Sequence, residues 1–571
     1  MSFFMTIWLV FAQLLLPLAA SSTRTCRCIP GDSCWPDDAA WATLNDTLHG
    51  RLIKSSPLAS VCHDPHYDEE ACNALAKAWP LPQTLYPHAS EIMAPYWQNQ
   101  SCDAFTPRSS PCRIGNYADY AVNISTADHV STALQFADKH NIRVVIKNTG
   151  HDYLGKSTGK GSLSLWTHNM KNLDFISYSS SGYTGPAVKM GAGVQAFEAY
   201  TAAASHGLRV VGGECATVGV AGGYLQGGGH SILSSTYGLA ADQALEYEVV
   251  TANGTCLVAS PSENSNLYWA LSGGGGGTYG LVLSATVKAF KDGIVGGAIL
   301  QFNNTGDTFW QGVQDFFAWV PDVVDSGSTV LWSVTNSSFV VLPITAPGKS
   351  EAQVEHLLEP LVSKMKKLNI SLFTSVTSFP TYLEHFDHYL GPLPYGLPMI
   401  NFADVSISGR LIPQRVLRNT SSNRDFIQTL KLSLPDSNYT IGGVVLNAAH
   451  SVAGNSASSN AVLPAWRDTN VHVLSLAHWD FDAPLSSNLA RNDYINQVTV
   501  PALTALAPES GAYLNEGNIA QKHWQKEFYG ANYDRLRRIK HMYDPKDVFF
   551  ADTAVGSEAW TRDGHGRLCR P

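Results

Sequence analysis

The sequence predicts an α+β protein with more than one packing unit, and three observations carry this prediction. At 571 residues the chain is longer than one ordinary hydrophobic core spans, so two or three packing units are expected. Residues 116–292 mix short strands and helices with glycine-rich crossings. Between residues 293 and 505, neighbouring strands alternate with helices, which favours an antiparallel sheet backed by helices.

The first unit is predicted to open with a helix that leads into a strand. Thr126 suits the N-cap position, because its hydroxyl can accept a hydrogen bond from the first helical turn. Val130, Leu134 and Ala137 then recur at helical spacing. Strands are predicted at 143–147, 163–166, 187–190, 208–211, 245–251 and 281–287, with an alanine-rich helix at 194–206 that ends at Gly207.

The second unit and the C-terminal segment follow the same kind of argument. Apolar residues at helical spacing predict helices over 309–320 and 354–365, and strands are predicted at 329–334, 339–344, 371–378, 444–448 and 471–477. The last segment, 506–571, contains one predicted helix that ends before Pro545, with the apolar face Tyr533, Leu536, Ile539 and Tyr543.

The N-terminus predicts secretion. Residues 1–22 fit a signal peptide, because an apolar run too short to span a bilayer ends in the small residues 19–22, although no Lys or Arg precedes it. Nine Asn-x-Ser/Thr acceptors predict N-glycans, and we expect no membrane partner. The acceptors are Asn45, Asn99, Asn123, Asn253, Asn303, Asn336, Asn369, Asn419 and Asn438.

Cysteine usage agrees with an oxidising compartment. Seven of the ten cysteines lie in a cysteine-rich segment at 23–112, and Cys569 lies near the C-terminus, which predicts disulfides within the segment and a tie between the two ends of the chain. The spacing leaves the connectivity open, and the shortest loops are Cys62–Cys72 and Cys102–Cys112. Two cysteines remain in the interior of the chain, Cys215 and Cys256, and we expect Cys256 to be buried.

Composition excludes some classes of partner. The net charge is −9 and only 15% of residues are charged, with Lys and Arg scattered along the chain. A nucleic-acid partner normally requires a basic patch, so we expect none. No His, Cys or carboxylate group has metal-ligand spacing, so no metal is expected.

Two glycine-rich turns carry nucleophiles. The segment 148–153 places His151 directly after Gly150, where the backbone can approach a flat ligand closely. The segment 212–219 places Cys215 in a similar turn, and 227–230 ends in His230. A third turn, 273–277, can wrap a pyrophosphate with backbone N–H groups. An imidazole and a thiol beside such turns indicate a cofactor that is bonded as well as bound.

Each of these features also has a simpler interpretation. His151 alone would more often be structural, and Cys215 alone would more often be a small buried side chain. Gly191-Ala192-Gly193 with Glu214 about twenty residues later matches a dinucleotide fingerprint. A plain strand–helix turn is favoured there, because soluble NAD is scarce outside cells and would be lost from a secreted protein.

Taken together, the motifs resemble one family. The carrying residues are 145–153, 214–219, 227–231, 269–277, 513–516, 532–540 and 543–545, and they cover about 113–292 and 510–552. On these residues the chain resembles a fungal member of the berberine-bridge-enzyme-like family, within the vanillyl-alcohol-oxidase and p-cresol-methylhydroxylase superfamily of FAD enzymes. The resemblance implies a two-part p-cresol-methylhydroxylase-type FAD-binding domain at 113–292, a substrate domain at 293–505 and a returning C-terminal segment at 506–571.

The resemblance also implies roles for individual residues. His151 matches the histidine joined to the flavin 8α-methyl group, and Cys215 matches the cysteine joined to flavin C6. Tyr513 and Asn515 match the catalytic Tyr-x-Asn pair, whose tyrosine deprotonates the substrate once neighbours lower its pKa. Besides these, the residues expected to bind the cofactor are Asn148, Gly150, Asp152, Gly213, Thr217, Gly219, Gly222, Gly228, His230, Gly276, Gly280 and Asn515.

The expected function is that of a secreted, monomeric FAD-linked oxidase. Hydride would pass from an alcohol, an amine or a related C–H bond of a bulky small molecule, a fungal secondary metabolite, to covalently bound flavin, and O2 would reoxidise the flavin to give H2O2. Two alternatives stay open: an oligosaccharide or simple alcohol oxidase of the same family, and a secreted glycoprotein that binds flavin or ligand without catalysis. For polar contacts with substrate, Asp404, His450 and His478 are candidates.

Overall fold

The computed structural model describes residues 26–397 and 403–571, and the predicted signal peptide at 1–22 lies outside the described residues. Within the described ranges, no helix has both the length and the apolar character needed to cross a membrane.

Disulfides organise the N-terminal segment. Both predicted short loops are confirmed, Cys62–Cys72 and Cys102–Cys112, and the predicted tie between chain ends is the bond Cys26–Cys569. A fourth bond joins Cys28 to Cys34. Helices of this segment are Asp38–Thr47, Glu69–Ala78, Pro82–Leu85 and Pro95–Gln98, with a 3-10 turn at Leu58–Cys62.

A four-stranded sheet follows. Its strand order is Leu52–Lys54, Tyr120–Asn123, Ser162–Trp166 and Arg143–Lys147, with the last three strands parallel. The helix Ala127–Lys139 packs on it, and the predicted cap is confirmed, since Thr126 Oγ1 accepts a hydrogen bond from His129 N. Because the strand Arg143–Lys147 ends where the turn at 148–153 begins, this sheet sets the position of His151.

A second sheet has five antiparallel strands. Their order is Leu173–Ser179, Thr184–Gly191, Leu281–Lys288, Ala244–Val250 and Cys256–Ala259. Helices Ala196–Ser205, Ser234–Tyr237 and Ser265–Leu271 belong to this part, as does a short pair, Leu208–Arg209 with Phe290–Lys291. The expectation that Cys256 is buried is wrong: it starts the edge strand and its side chain is exposed.

The antiparallel sheet argues against the dinucleotide alternative, because that fingerprint requires parallel strands in a βαβ unit. A Cβ at Gly191 would lie 2.4 Å from the carbonyl oxygen of Met170, and one at Gly193 would lie 2.1 Å from that of His168. These glycines are therefore explained by close backbone packing, which is the strand–helix turn favoured above.

The third sheet has seven antiparallel strands, as predicted for the second unit. The order is Phe373–Phe379, Val295–Asn303, Ser338–Pro347, Thr329–Val334, Tyr439–Val445, Thr469–His478 and Val405–Pro413. Helices Phe309–Asp325, Glu351–Lys367, Thr420–Leu432 and Val500–Leu506 contribute to the hydrophobic core beside this sheet. Further helices are Tyr382–Leu390, Gln414–Arg418, His450–Ala453 and Leu485–Tyr494.

The C-terminal segment returns to the first unit through helices Trp524–Tyr529 and Tyr533–Tyr543 and the pair Thr561–Arg562 with Leu568–Cys569. The buried Lys540 makes this connection, because its Nζ donates to the carbonyl oxygens of Thr278 and Phe549 and to the Asp544 carboxylate. One cation thus joins the C-terminal helix to the glycine-rich turn near residue 277.

Candidate active site

A cavity of about 650 Å³ lies where the glycine-rich turns, the seven-stranded sheet and the C-terminal segment meet. Cavities of this size are typical of cofactor and small-molecule sites. The turns contribute His151 and Cys215, and the C-terminal segment contributes Tyr513, Asn515 and Glu516. The sheet contributes a largely aliphatic wall that includes Leu331, Val340, Leu342, Leu474 and Leu476.

The two predicted anchors lie side by side. Cys215 Sγ is 3.9 Å from His151 Nε2, and the Thr217 hydroxyl lies close to both, 2.7 Å from Nε2 and 3.4 Å from Sγ. Gly150 makes this turn with φ +85°, a conformation that side chains other than glycine rarely adopt. Burial and the nearby Lys147 lower the pKa of His151 to about 3, so its imidazole is neutral at ordinary pH.

The thiol is in a different electrostatic situation. Burial raises the pKa of Cys215, although hydrogen bonds from the Thr217 hydroxyl and from the backbone act in the opposite direction. Formation of the Cys215 thiolate is therefore helped by the hydrogen bonds from the Thr217 hydroxyl and the backbone and opposed by burial.

The residues of the cavity fit a bound FAD. Asn148 Nδ2 donates to Ala192 O at 2.6 Å, while Asn148 Oδ1 is buried in the cavity wall without a hydrogen-bond partner among the described residues. Within the same described ranges, Gln226 Oε1 is likewise buried in the wall without a partner. Buried polar atoms of this kind normally have partners, so both are suited to accept hydrogen bonds from a bound ligand.

Glycines hold the space open beside Asn148 and between the turns that carry Gly223 and Gly276. A Cβ at Gly219 or Gly222 would lie 2.1 or 2.8 Å from Asn148 Nδ2, and one at Gly276 would lie 2.8 Å from the Cα of Gly223. Side chains at these positions would therefore displace Asn148 or fill the narrow gap between the turns.

Most other predicted cofactor residues also line the cavity, although their contacts differ. Asp152 accepts hydrogen bonds from the backbone of Leu154 and Ser157, so it shapes the turn after His151. Gly213 lines the cavity, and so does Gly280, which packs on Val249. Two predicted residues, Thr217 and Gly228, are not among the residues that line the cavity, and Gly228 lies next to the Tyr513 ring.

Tyr513 and Asn515 are brought together as predicted. The Tyr513 oxygen accepts hydrogen bonds from Asn515 Nδ2 at 2.7 Å and from Gly229 N at 3.1 Å. Both donors lower the pKa of Tyr513, but burial and the charge of Glu516 raise it more, and it stands well above its ordinary value. The expectation that the neighbours as a whole lower this pKa is therefore wrong for the site as described.

A largely buried chain of two histidines and two carboxylates lies beside Tyr513. His230 donates from Nδ1 to Glu214 at 3.1 Å and from Nε2 to Glu516 at 3.0 Å, and His472 Nε2 donates to Glu516 at 2.6 Å. Burial lowers the pKa of His230, but the two carboxylates raise it more, and it stands well above its ordinary value. For Glu516, burial is outweighed by His230 and His472, and its pKa is lowered.

The sequence motifs pointed to His230, but they did not predict the hydrogen-bonded network of two histidines and two carboxylates. His230, His472 and Glu516 place one potential ligand atom each within 4.8 Å of one another, a grouping with no counterpart in sequence spacing. Direct hydrogen bonds among them account for the short distances. The sequence offered no signal for His472, which lies in the strand Thr469–His478, 44 residues from Glu516.

The polar residues suggested for the substrate side divide into two groups. Asp404 and His478 line the cavity. His450 does not line it, and its Nδ1 instead contacts Asn455 Oδ1 at 2.8 Å from a short helix.

Comparison with known proteins agrees with this geometry. Residues 118–260 match the family model of an FAD binding domain, and residues 512–556 match the model described as berberine and berberine like. The chain is 46% identical over its full length to the FAD-linked oxidoreductase patO of Aspergillus clavatus, covering 99% of that protein. It is 44% identical to the bifunctional decalin synthase calF of Penicillium decumbens, over 97% of each protein.

A solved structure supports the fold over nearly the whole chain. The VAO-type flavoprotein MtVAO615 of Myceliophthora thermophila C1 superposes with a TM-score of 0.90 at 44% identity, covering 96% of this chain and all of that one. The two-part FAD-binding fold with a separate antiparallel sheet is thereby confirmed, as are the enzyme class and FAD as the cofactor. The chain belongs to the berberine-bridge-like family of FAD-linked oxidoreductases within the vanillyl-alcohol-oxidase superfamily.

Proposed function

We propose that this protein is a secreted oxidase that removes hydride from an alcohol, an amine or a related C–H bond of a bulky organic molecule. The observation that carries the proposal is the cavity itself, because His151 and Cys215 line the same cavity as Tyr513 and Asn515. FAD held in this cavity would supply the hydride acceptor, with O2 as the final oxidant and H2O2 as its product.

We propose that His151 and Cys215 each form a bond to FAD. Cys215 Sγ lies 3.9 Å from His151 Nε2, so both side chains can reach the same ring of the flavin, whose C6 and C8 are separated by one carbon. Attachment at two points would hold the flavin without side chains clamping its outer face, and it would leave room for a large substrate. The remaining predicted cofactor residues would then act by shape and hydrogen bonding, with Asn148 Oδ1 as the clearest acceptor.

Tyr513 is the proposed acceptor of the substrate proton. Two N–H donors converge on the Tyr513 oxygen and stabilise its phenolate form. The phenolate is the form that can accept the proton of a substrate hydroxyl. Asn515 positions the oxygen by donating to it while its amide also donates to Gly223 O. Because burial and Glu516 raise the pKa of Tyr513, we expect the share of phenolate, the form that accepts the proton, to increase as pH rises.

The substrate side of the cavity favours an apolar molecule. Leu331, Leu342 and Leu474 present aliphatic surface from the seven-stranded sheet, whereas a sugar needs many hydrogen-bond partners. The sheet therefore favours a bulky secondary metabolite over the alternative of an oligosaccharide. The non-catalytic alternative is disfavoured because Tyr513 and Asn515 are intact and correctly paired.

The remaining proposals concern the whole protein. Four disulfides fit passage through the secretory pathway. All nine acceptor asparagines lie in the described part of the chain and none of them is buried, which suits N-glycans. We propose a monomer with an FAD-binding unit at 113–292, a substrate unit at 293–505 and a C-terminal segment at 506–571 that completes the site.

The test is an anaerobic reduction followed by exposure to air. Purified protein should stay yellow after acid precipitation, and a panel of bulky alcohols should include one that bleaches the flavin. Dithionite-reduced protein should regain its colour within seconds in air, with H2O2 formed. Slow reoxidation in air would overturn the use of O2, and a panel that never reduces the flavin would favour the non-catalytic alternative.

A further inference from the structure

We propose that the Thr217 hydroxyl is a positioning group that prepares both His151 and Cys215 for bond formation with FAD. Thr217 is fully buried, and its Oγ1 is the closer partner of each anchor: 2.7 Å from His151 Nε2 and 3.4 Å from Cys215 Sγ, against 3.9 Å between the anchors themselves. The proposal rests on the proposed attachment of FAD at both residues.

A hydroxyl can accept one hydrogen bond while donating another. The Thr217 hydroxyl can therefore accept from His151 and donate to Cys215. His151 is a neutral imidazole, so only one of its nitrogens carries a proton. If Nε2–H donates to Thr217 Oγ1, the lone pair of Nδ1 is left to act as the nucleophile. The Thr217 O–H then donates to Cys215 Sγ and stabilises the thiolate, which is the reactive form.

Thr217 is held in place independently of its hydroxyl. Its carbonyl oxygen accepts a 2.7 Å hydrogen bond from Gln195 Nε2, and Gln195 is the N-cap residue of the helix Ala196–Ser205. A valine side chain at this position has nearly the same shape and keeps this backbone contact. The hydroxyl can therefore be removed while the turn that carries Cys215 stays anchored.

The chemistry balances with O2 as the oxidant. In the first bond, imidazole nitrogen replaces one hydrogen of the 8α-methyl group, and in the second, sulfur replaces the hydrogen at C6. Each bond releases two protons and two electrons in total, counting the proton lost by the nucleophile. For each bond, one O2 takes up the two protons and the two electrons and becomes H2O2. The protein supplies a correctly oriented nitrogen lone pair and a thiolate.

The experiment compares Thr217→Val with Thr217→Ser. Covalent flavin is measured by acid precipitation in protein purified at successive times after expression begins, and mass spectrometry of flavin-bearing peptides reports the bonds at His151 and Cys215 separately. In Thr217→Val we expect the rates of formation of both bonds to fall by about tenfold, as for the loss of one hydrogen bond, with FAD still bound non-covalently. Thr217→Ser should keep both bonds.

Each other outcome has a definite meaning. Wild-type protein without covalent flavin would end the proposed attachment itself, whatever the variants do. Wild-type protein with both bonds and a Thr217→Val variant that forms them at the same rate would overturn the role of Thr217. Complete loss of FAD from Thr217→Val, with FAD kept in Thr217→Ser, would also overturn it, because Thr217 would then serve binding rather than bond formation.

Discussion

The side-chain amide of Asn515 donates a 2.7 Å hydrogen bond to the phenolic oxygen of Tyr513, two residues earlier in the chain. A second donor, Gly229 N, reaches the same oxygen from the glycine-rich turn at 227–230. Both stabilise negative charge on the oxygen, whereas burial and Glu516 oppose it. The basicity of the Tyr513 oxygen is therefore set by its neighbours, and the side chains of Asn515 and Glu516 can be replaced one at a time.

Replacing either member of the pair should slow reduction of the flavin. Tyr513→Phe removes the proposed proton acceptor, so we expect the rate of anaerobic reduction by a substrate to fall by about 10²–10⁴-fold. Asn515→Ala removes one donor, so we expect a fall of about tenfold, with the pH profile displaced to higher pH. Stopped-flow absorbance at the flavin band measures both. Reduction of Tyr513→Phe at the wild-type rate would exclude Tyr513 as the acceptor.

The charge of Glu516 should control the pH profile of the same reaction. Because the pKa of Tyr513 is raised, the phenolate fraction and the reduction rate should increase as pH rises from neutral. Glu516→Gln removes a charge that raises this pKa, so the rising limb should move to lower pH. The measurement is the reduction rate between about pH 6 and 10, up to the ordinary pKa of tyrosine.

Asp404→Asn provides the matched control for that experiment. Asp404 also lines the cavity, but it is not among the groups that chiefly shift the pKa of Tyr513. Removing the charge of Asp404 should leave unchanged the pH range over which the reduction rate rises. An equal displacement in both variants would show that total cavity charge, rather than Glu516, sets the profile.

Much of the fold could be predicted from local pattern. The helix capped by Thr126 and the strand Arg143–Lys147 follow from capping and periodicity, and both are as expected. The strand expected at 444–448 lies at Tyr439–Val445 instead. Gly442 and Gly443 interrupt its apolar pattern, and the strand is defined by pairing with Thr329–Val334 and Thr469–His478 rather than by its own residues.

The site likewise contains some residues that local sequence motifs predict and others that only the folded structure reveals. That His151 and Cys215 line the cavity could be predicted, because each lies in a glycine-rich motif that is local in sequence. His472 could not, since its place in the site follows from contacts with Glu516 and Tyr513 that the folding of the seven-stranded sheet creates. The raised pKa of Tyr513 was likewise beyond prediction, because it depends on burial and on Glu516 rather than on the Tyr-x-Asn pattern.

Thiol titration should reveal whether the sulfur of Cys215 is bonded to flavin. Eight of the ten cysteines form disulfides, which leaves Cys215 and Cys256. Protein unfolded without reductant should therefore give one thiol per chain with a chromogenic disulfide reagent, from the exposed Cys256. Cys256→Ser should give none. Two thiols in the wild type would show that no bond to Cys215 has formed.

The pair formed by His230 and Glu516 should make stability depend on pH. The pKa of Glu516 is lowered in the folded state, so its contribution is present above its unfolded pKa of about 4.3 and is lost as pH falls. The pKa of His230 is raised, so its contribution is complete below about pH 6.5 and is lost as pH rises through the folded pKa. The pair should therefore stabilise most between about pH 4.5 and 6.5.

Glu516→Gln tests this window. Among the described residues, the substitution leaves Glu214 as the remaining charged partner of His230. We therefore expect it to lower the free energy of unfolding by about 3 kcal/mol within the window and by less on either side. Thermal unfolding at a series of pH values measures the difference. Glu359→Gln is the matched control, since His356 and Glu359 form a pair of similar length, 3.1 Å, that is largely solvated. A loss that is the same at every pH, or that the control reproduces, would mean that the buried pair does not couple protonation to folding.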